Sequence, residues 1–357
     1  MPSFLVETPG RRYFAKVERG LLARVPYFIP DSAGTVFIVT TADVWRLYGS
    51  ALERAMGTRA HHILMFPGGE ENKRLAPVEI MAEQMVNAGG DRTSVVVGVG
   101  GGIVTDVAGF LASIFMRGVP VIQVPTTLLA QVDAGVGGKT GVNLSCGKNL
   151  IGTFHQPLAV LIDPDVLRTL PEREYRAGLY EVVKCGIIRS PELFAVMRDR
   201  PHDVLAQSPE TVERIIADSV RIKAEVVSAD EREGDLRRIL NFGHTFGHAL
   251  EAETNYTRFL HGEAVAFGMV AAIHLALLLN IVDAHAAVEM VETIRRYGPI
   301  PPLDGIDARA IVARLKSDKK TVHGKTHFVL PENAGKVRIV SGVDEELVLS
   351  AVKAALR

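Results

Sequence analysis

The sequence predicts an α/β first half followed by a mainly α-helical second half, and three observations carry that division. Strand-like and helix-like stretches alternate from Thr35 to Val97, the rhythm of a parallel sheet covered by helices. Val95 to Val99 then runs straight into Gly100-Gly101-Gly102, with a helix opening at Ile103-Val104-Thr105-Asp106. Beyond the stretch Pro164 to Pro171 the strand signal fades, and helical periodicity continues from Glu172 to about Leu315. The boundary is expected near residue 175, giving domains 1–175 and 176–357.

Taken in order, residues 1 to about 30 read as strand and turn, and Thr35 to Val39 is a continuous apolar run of the kind buried in a parallel sheet. A helix over Ala42 to Met56, a strand over His62 to Phe66, a Gly-Glu loop over Pro67 to Lys73 and a helix over Ala76 to Ala88 follow. Ser94 to Val97, Val121 to Pro125 and Ala159 to Ile162 supply further strands. Between the last two lies a glycine-rich polar segment that reads as one long loop, and loops of that length are usually functional. In the second half, Val204 to Val227, Leu240 to Thr254 and the very apolar Glu263 to Ile281 read as helices. His327 to Leu330 and Lys336 to Val340 are short strands before a closing helix, and no internal repeat is visible.

Composition narrows the function classes. With 47% apolar and 23% charged residues over 357 positions, the chain reads as globular. A net charge of −1 argues against a nucleic-acid surface, which needs clustered basic excess. A run of about eighteen apolar residues, the length a membrane span needs, is absent from the sequence. The opening MPSFLVETPGRRYFAKVERG has no apolar signal core, so a cytoplasmic location is expected. The two cysteines, Cys146 and Cys185, suit a reducing compartment and form no CxxC pair.

The stretch LNFGHTFGHALE, Leu240 to Glu251, gathers Asn241, His244 and His248, and His261 follows in Leu260-His261-Gly262-Glu263. Read as one helix, residues three and four apart share a face. The three side chains would then project into one space, with Gly243 and Gly247 leaving room at the backbone. Neutral imidazole is the commonest nitrogen ligand of zinc, so the His244/His248 spacing suggests a metal pair. The competing account is a set of hydrogen-bonded core histidines, and the density of polar groups favours a site.

The glycine turn after Val99 makes an anion site, because bare backbone admits a phosphate and the helix dipole favours its charge. The dinucleotide fingerprint is incomplete, with Ile103 where its last glycine would stand, and the lysine and hydroxyl of a P-loop are missing. A nucleotide diphosphate such as NAD fits better than ATP. Further on, Arg117 to Asn149 places Thr126, Thr127, Asp133, Lys139, Lys148 and Asn149 among five glycines, Gly135, Gly137, Gly138, Gly141 and Gly147. Glycines make such a path flexible enough to wrap a ligand, and lysines offer charge to a phosphate or carboxylate.

Together, PGGEENK (Pro67 to Lys73), GGGIVTD (Gly100 to Asp106), MRG (Met116 to Gly118), VPTTLLAQVDAGVGGKTGVN (Val124 to Asn143), GKNLIGTFHQP (Gly147 to Pro157), YEVVKCG (Tyr180 to Gly186), KAEVVSADERE (Lys223 to Glu233), LNFGHTFGHALE, LHGEAV (Leu260 to Val265) and SDKK (Ser317 to Lys320) resemble the 3-dehydroquinate synthase family of sugar phosphate cyclases. The resemblance runs in order over nearly the whole chain. It implies an N-terminal Rossmann-like nucleotide-binding α/β domain, a C-terminal mainly α-helical metal- and substrate-binding domain, and a homodimer.

It also implies Glu181, His244 and His261 as ligands of Zn2+ or Co2+, in place of the His244/His248 pair, and moves His248 to the substrate side. Two imidazoles and a carboxylate leave zinc the open position a catalytic site needs. NAD is implied on Gly101, Gly102, Ile103 and Asp106 at the pyrophosphate. Asp43, Glu70, Lys73, Thr126, Thr127, Asp133, Lys139, Lys148, Thr169, Leu170 and Glu174 would surround the rest of the cofactor. At the adenosine end, Thr41-Ala42-Asp43 departs from the acidic residue and asparagine of some relatives. Asp133, Lys139, Asn149, Lys184, Lys223, Arg237, Asn241, His248 and Lys319 form the implied catalytic shell, and Arg117 reaches it from the partner subunit. Arg237 and Lys223 suit a carboxylate, and Lys139, Asn149, Asn241 and His248 suit a phosphate.

The family reaction converts 3-deoxy-D-arabino-heptulosonate 7-phosphate to 3-dehydroquinate and phosphate in the shikimate pathway of aromatic amino acid biosynthesis. Transient oxidation at C5 lets phosphate leave, NADH returns the hydride, and an intramolecular aldol closes the ring. NAD is regenerated, so the enzyme is a carbon–oxygen lyase. The expected partner is a small sugar phosphate, with no nucleic acid and no membrane. The alternatives are a metal-assisted alcohol dehydrogenase, a cyclase for sedoheptulose 7-phosphate or glucose 6-phosphate, and a nucleotide-sensing protein without turnover.

Overall fold

The alternation read from Thr35 onward produces a seven-stranded sheet in the computed structural model, which describes residues 2–317 and 326–357. The first of two compact units holds the chain up to Leu170 together with Lys223–Glu231. In chain order its elements are β1 (Ser3–Glu7), β2 (Arg12–Val17), β3 (Val36–Thr40), α1 (Ala42–Met56), β4 (His61–Met65), α2 (Leu75–Asn87), β5 (Val95–Gly100), α3 (Gly102–Ile114), β6 (Val121–Pro125), β7 (Lys139–Leu144), β8 (Gly147–Phe154) and β9 (Ala159–Ile162). The sheet order is β1-β2-β9-β6-β5-β3-β4, parallel except for the β1–β2 pair.

Alternate residues of the apolar strands feed two cores. Phe37, Val39 and Val96 pack on one face beneath Met81 and Met85 of α2 and Val107 and Leu111 of α3. Val36, Ile38, Val95 and Val97 pack on the other with Leu52 and Met56 of α1. Burial on both faces is why these strands read as unbroken apolar runs. Strand order reverses between β3 and β5. Ligands of open α/β sheets bind beyond the carboxyl ends at such a reversal, and here those ends lead into Thr41–Asp43 and Gly101–Gly102.

The long loop expected between β6 and β9 is instead a single π turn, Ala130–Ala134, followed by the antiparallel β7–β8 hairpin. Thr140 and Thr153 share a hydroxyl–hydroxyl bond of 2.8 Å across it. Its glycines are there for close approach: a Cβ on Gly152 would overlap the Thr140 carbonyl. Glycine carries no strand preference, so the hairpin was hidden in the sequence.

The second unit comprises Pro171–Ile222 and Arg232–Arg357. It holds α4 (Glu172–Arg189), α5 (Pro191–Asp199), α6 (Pro201–Leu205), α7 (Pro209–Ala229, whose last residues from Lys223 count with the first unit), α8 (His244–Glu253), α9 (His261–Leu278), α10 (Ala284–Arg296), α11 (Ala308–Ser317), the hairpin β10 (His327–Asn333) and β11 (Lys336–Ser341), and α12 (Glu345–Ala355). By compactness the first unit ends at Leu170, close to the boundary expected near residue 175, and a helical segment, Lys223–Glu231, returns to it. A boundary inside a continuous helix leaves no composition signal.

Among the described residues, α9 alone is long and apolar enough to cross a membrane. It is the core helix of the second unit, packed against α4, α8, α10 and α12, with 78% of its apolar window buried. Burial on every side explains an apolar helix without a polar face.

Candidate metal centre and anion platform

The second unit builds its centre around Glu181 of α4, which is fully buried. Among the described residues, neither carboxylate oxygen accepts a hydrogen bond. Oε2 faces the buried Lys184 ammonium as an ion pair, a contact of charges without hydrogen-bond alignment. Oε1 lies 3.7 Å from His244 Nε2 and 3.8 Å from His261 Nε2. One ligand atom from each of Glu181, His244 and His261 lies within 4.8 Å of the other two. These separations are long for hydrogen bonds, whereas bonds of about 2.0–2.2 Å to one tetrahedral ion put its donors roughly 3.4 Å apart. A buried carboxylate short of donors is costly, and two imidazole nitrogens turned toward it make a donor set that fits a divalent cation.

Backbone contacts bring the three together. Gly243 adopts φ 80°, a left-handed turn that glycine takes at no steric cost, and it starts α8 at His244. A Cβ on Gly268 of α9 would overlap the Gly243 carbonyl. The helices therefore touch at the backbone, and the His244 and His261 rings stand 5.1 Å apart. A Cβ on Gly262 would likewise overlap the Ala177 carbonyl of α4, which sets His261 beside Glu181 one turn on. Arg173 grips Glu263 at 2.7 and 2.8 Å, and Glu263 Oε2 accepts the Leu260 N–H at 2.8 Å, fixing the first turn of α9. The room left by Gly243 is thus filled by a neighbouring helix.

Beside each Nδ1 stands an acceptor: the Phe242 carbonyl at 3.2 Å from His244, and the buried Glu251 carboxylate at 3.4 Å from His261. His248 lies one turn along α8, its ring 5.4 Å from His244 and 5.6 Å from His261. It groups with Glu251 and His261 and not with Glu181. Asn241 does not share their helix. It ends the 3-10 turn Leu236–Asn241, Gly243 intervenes, and its amide donates to Glu233. Arg237 is buried in the same turn. Glu174 lies at the start of α4, where burial pushes its carboxyl upward against the opposing pull of Arg173.

The first unit assembles a different arrangement. The N-terminus of α3 has neither a side-chain cap nor an acidic residue in its first turn. A Cβ on Gly101 would come 3.1 Å from Thr127, and one on Gly102 3.1 Å from Ala134. This bare helix start at the sheet's reversal fits an anionic group such as a pyrophosphate. Thr126 donates its backbone N–H to the Gly100 carbonyl, and Thr127 Oγ1 caps the π turn at Ala130. Ile103 stands half-buried in the first turn of α3.

Nearby, the buried Lys73 ammonium donates to Asp106 at 2.5 Å and Asn149 at 2.6 Å. Burial pushes the Asp106 carboxyl up, and Lys73 pulls it back. Asn143, absent from the sequence-derived set, ties these parts together. It donates to Glu70 at 2.7 Å, accepts from the Asn149 N–H at 2.8 Å, and its own N–H reaches the Lys73 carbonyl at 2.7 Å. Lys148 lies 3.9 Å from Glu70. Lys223 donates to the Asp133 carboxylate and carbonyl at 2.5 Å each, so these two implied substrate residues hold one another.

The remaining implied residues lie at other places on the chain. Lys139 is exposed at the start of β7, and Asp43 is exposed in the first turn of α1. Arg117 is exposed at φ 72°. Thr169 bonds to Tyr48, and Leu170 follows it. Lys319, with most of the SDKK stretch, lies outside the described residues.

A parallel sheet with a bare glycine helix start, joined to a helical unit holding a carboxylate and two imidazoles, defines a chain of the sugar phosphate cyclase fold. A solved 2-deoxy-scyllo-inosose synthase, complexed with carbaglucose-6-phosphate, NAD+ and Co2+, matches with a TM-score of 0.88 at 28% identity, covering 99% of both chains. A 2-epi-5-epi-valiolone synthase from Streptomyces hygroscopicus subsp. jinggangensis 5008, with NAD+ and Zn2+ bound, gives 0.89 at 29% identity over 96% of both. The chain belongs to the 3-dehydroquinate synthase family: the family's N-terminal model matches residues 63–177 and its C-terminal model residues 178–321. The 3-dehydroquinate synthase of Solibacter usitatus (strain Ellin6076) is 62% identical over 356 residues, covering 100% of both chains.

Proposed function

We propose that the chain converts 3-deoxy-D-arabino-heptulosonate 7-phosphate to 3-dehydroquinate and inorganic phosphate, with NAD and Zn2+ or Co2+, as a carbon–oxygen lyase of aromatic amino acid biosynthesis. The observation that carries it is the buried Glu181 carboxylate, short of hydrogen-bond donors and flanked by two Nε2 atoms, in a chain 62% identical end to end to a 3-dehydroquinate synthase.

Glu181, His244 and His261 would hold the divalent ion, which supplies Lewis acidity toward sugar hydroxyls. Gly101, Gly102, Ile103 and Asp106 would hold the NAD pyrophosphate, the cofactor supplying a hydride acceptor that is regenerated. Glu70, Lys73, Thr126, Thr127, Lys148, Thr169, Leu170, Glu174 and Asp43 are assigned to the remainder of NAD. Lys184 is buried against Glu181, and its ammonium is suited to developing negative charge on a substrate oxygen. His248 is assigned to proton handling. On the helical unit, Arg237 suits the substrate carboxylate and Asn241 its phosphate. On the α/β unit, Lys223 and Asp133 suit the carboxylate end, and Lys139 and Asn149 the phosphate. The working form is a cytoplasmic homodimer, with Arg117 serving the partner's site and Lys319 completing the shell.

The test is inorganic phosphate released against time by the chain with NAD, Zn2+ and the heptulosonate, beside glucose 6-phosphate and sedoheptulose 7-phosphate. Release from the heptulosonate alone, with no net NADH, is the expected result. NADH accumulating with a polyol and no phosphate release would mark a dehydrogenase and overturn the proposal.

A further inference from the structure

We infer that Glu251 is the positioning residue for His261, holding its imidazole so that Nε2 is turned to the metal. The inference rests on the reading of Glu181, His244 and His261 as metal ligands. His261 is the less enclosed of the two imidazoles, its side chain 31% exposed against 10% for His244. It therefore depends more on a specific anchor. His244 has one in the Phe242 carbonyl, 3.2 Å from Nδ1 on its own chain turn. His261 opens α9 behind Leu260, and the acceptor beside its Nδ1 is the Glu251 carboxylate from α8, at 3.4 Å. The Glu251 side chain is only 3% exposed. A carboxylate in that place fixes the proton on Nδ1, leaves the Nε2 lone pair free, and raises its basicity. Nε2 is the atom that lies 3.8 Å from Glu181. Glu251 would thus support the ion through His261, as the Phe242 carbonyl would through His244.

The same carboxylate also has a ligand atom within 4.8 Å of His248 and His261. A second ion there would need the Nδ1 lone pair of His261, which the positioning role fills with a proton. The two roles exclude one another and differ in stoichiometry.

The experiment uses the full chain as wild type, Glu251→Gln and Glu251→Leu. It measures Zn2+ affinity by competition with a chromophoric chelator, metal bound per chain, the visible spectrum of the Co2+ form, NAD affinity and Tm. Outer-shell partners of metal-bound histidines are worth about 10–100-fold in affinity. Glu251→Gln, which keeps an acceptor oxygen, is expected to lose about tenfold and Glu251→Leu about 100-fold. One ion per chain, an altered Co2+ spectrum and unchanged NAD affinity should accompany the loss. Variants that lower Tm but bind Zn2+ as wild type does would overturn the inference, as would a wild type holding two ions of which Glu251→Gln loses one. A wild type that binds no Zn2+ would sink the metal reading itself, and is distinguishable from both.

Discussion

The two polar clusters of this chain solve opposite problems. In the α/β unit, Lys73, Asp106, Asn149, Asn143 and Glu70 satisfy one another through bonds of 2.5–2.8 Å. In the helical unit, Glu181 is more deeply buried, and among the described residues neither oxygen accepts a hydrogen bond, Lys184 facing it only as an ion pair. Buried polar groups that are mutually satisfied make a rigid platform complete without any guest. A buried carboxylate lacking donors carries a cost that a cation relieves. The first cluster would therefore present a preformed surface to the proposed cofactor, whereas the proposed ion would tie the stability of the second to binding.

The largest effect that sharpens this contrast is His261→Ala. Zn2+ content should collapse and phosphate release fall by on the order of 10³-fold, since Lewis acidity is worth several kcal/mol, while NAD affinity stays within about twofold. Metal analysis and NAD titration on one preparation check this; retention of a full complement of zinc would break the assignment. Next comes Lys184→Met. Removing one partner of a buried ion pair costs about 3–5 kcal/mol, so the metal-free variant should unfold at lower urea. Zn2+ should then stabilise it more than it stabilises wild type, as chemical denaturation with and without metal would show.

On the platform side, Gly102→Ala places a Cβ 3.1 Å from Ala134 at the start of α3. NAD affinity should fall about tenfold, within the cost of modest overpacking, with Zn2+ content untouched. The smallest effect is a pH slope. Burial holds the His155 imidazole below its ordinary value of 6.5, the 2.9 Å contact with the Val119 carbonyl opposing it only in part. A depressed base contributes stability above the unfolded pKa that is lost as pH falls below about 6.5. His155→Gln should flatten that slope in denaturant midpoints measured between pH 7.5 and pH 5.5.

Legibility followed the physics of each element. Strands buried on both faces, such as Val36–Thr40, announced themselves as apolar runs; the histidines were visible because imidazole is chemically specific, but spacing paired His244 with His248, and only the family resemblance pointed to Glu181 and His261. The β7–β8 hairpin was not, because Gly141, Gly147 and Gly152 read as loop. Asn143 was missed because its partners Glu70 and Lys73 lie some seventy residues away. Asn241 was set on the wrong helix because a left-handed Gly243 cannot be told from a helical glycine by spacing alone. Glu251 was passed over because a glutamate inside a helix looks like an ordinary surface residue, although it falls three positions after His248.

X-ray absorption at the zinc edge of the loaded chain tests the central claim most directly. The account predicts a first shell containing two imidazole nitrogens at about 2.0–2.1 Å and carboxylate oxygen at about 2.0–2.2 Å, with one imidazole missing in His261→Ala. A sulfur shell at about 2.3 Å, or a spectrum unaltered in His261→Ala, would contradict it.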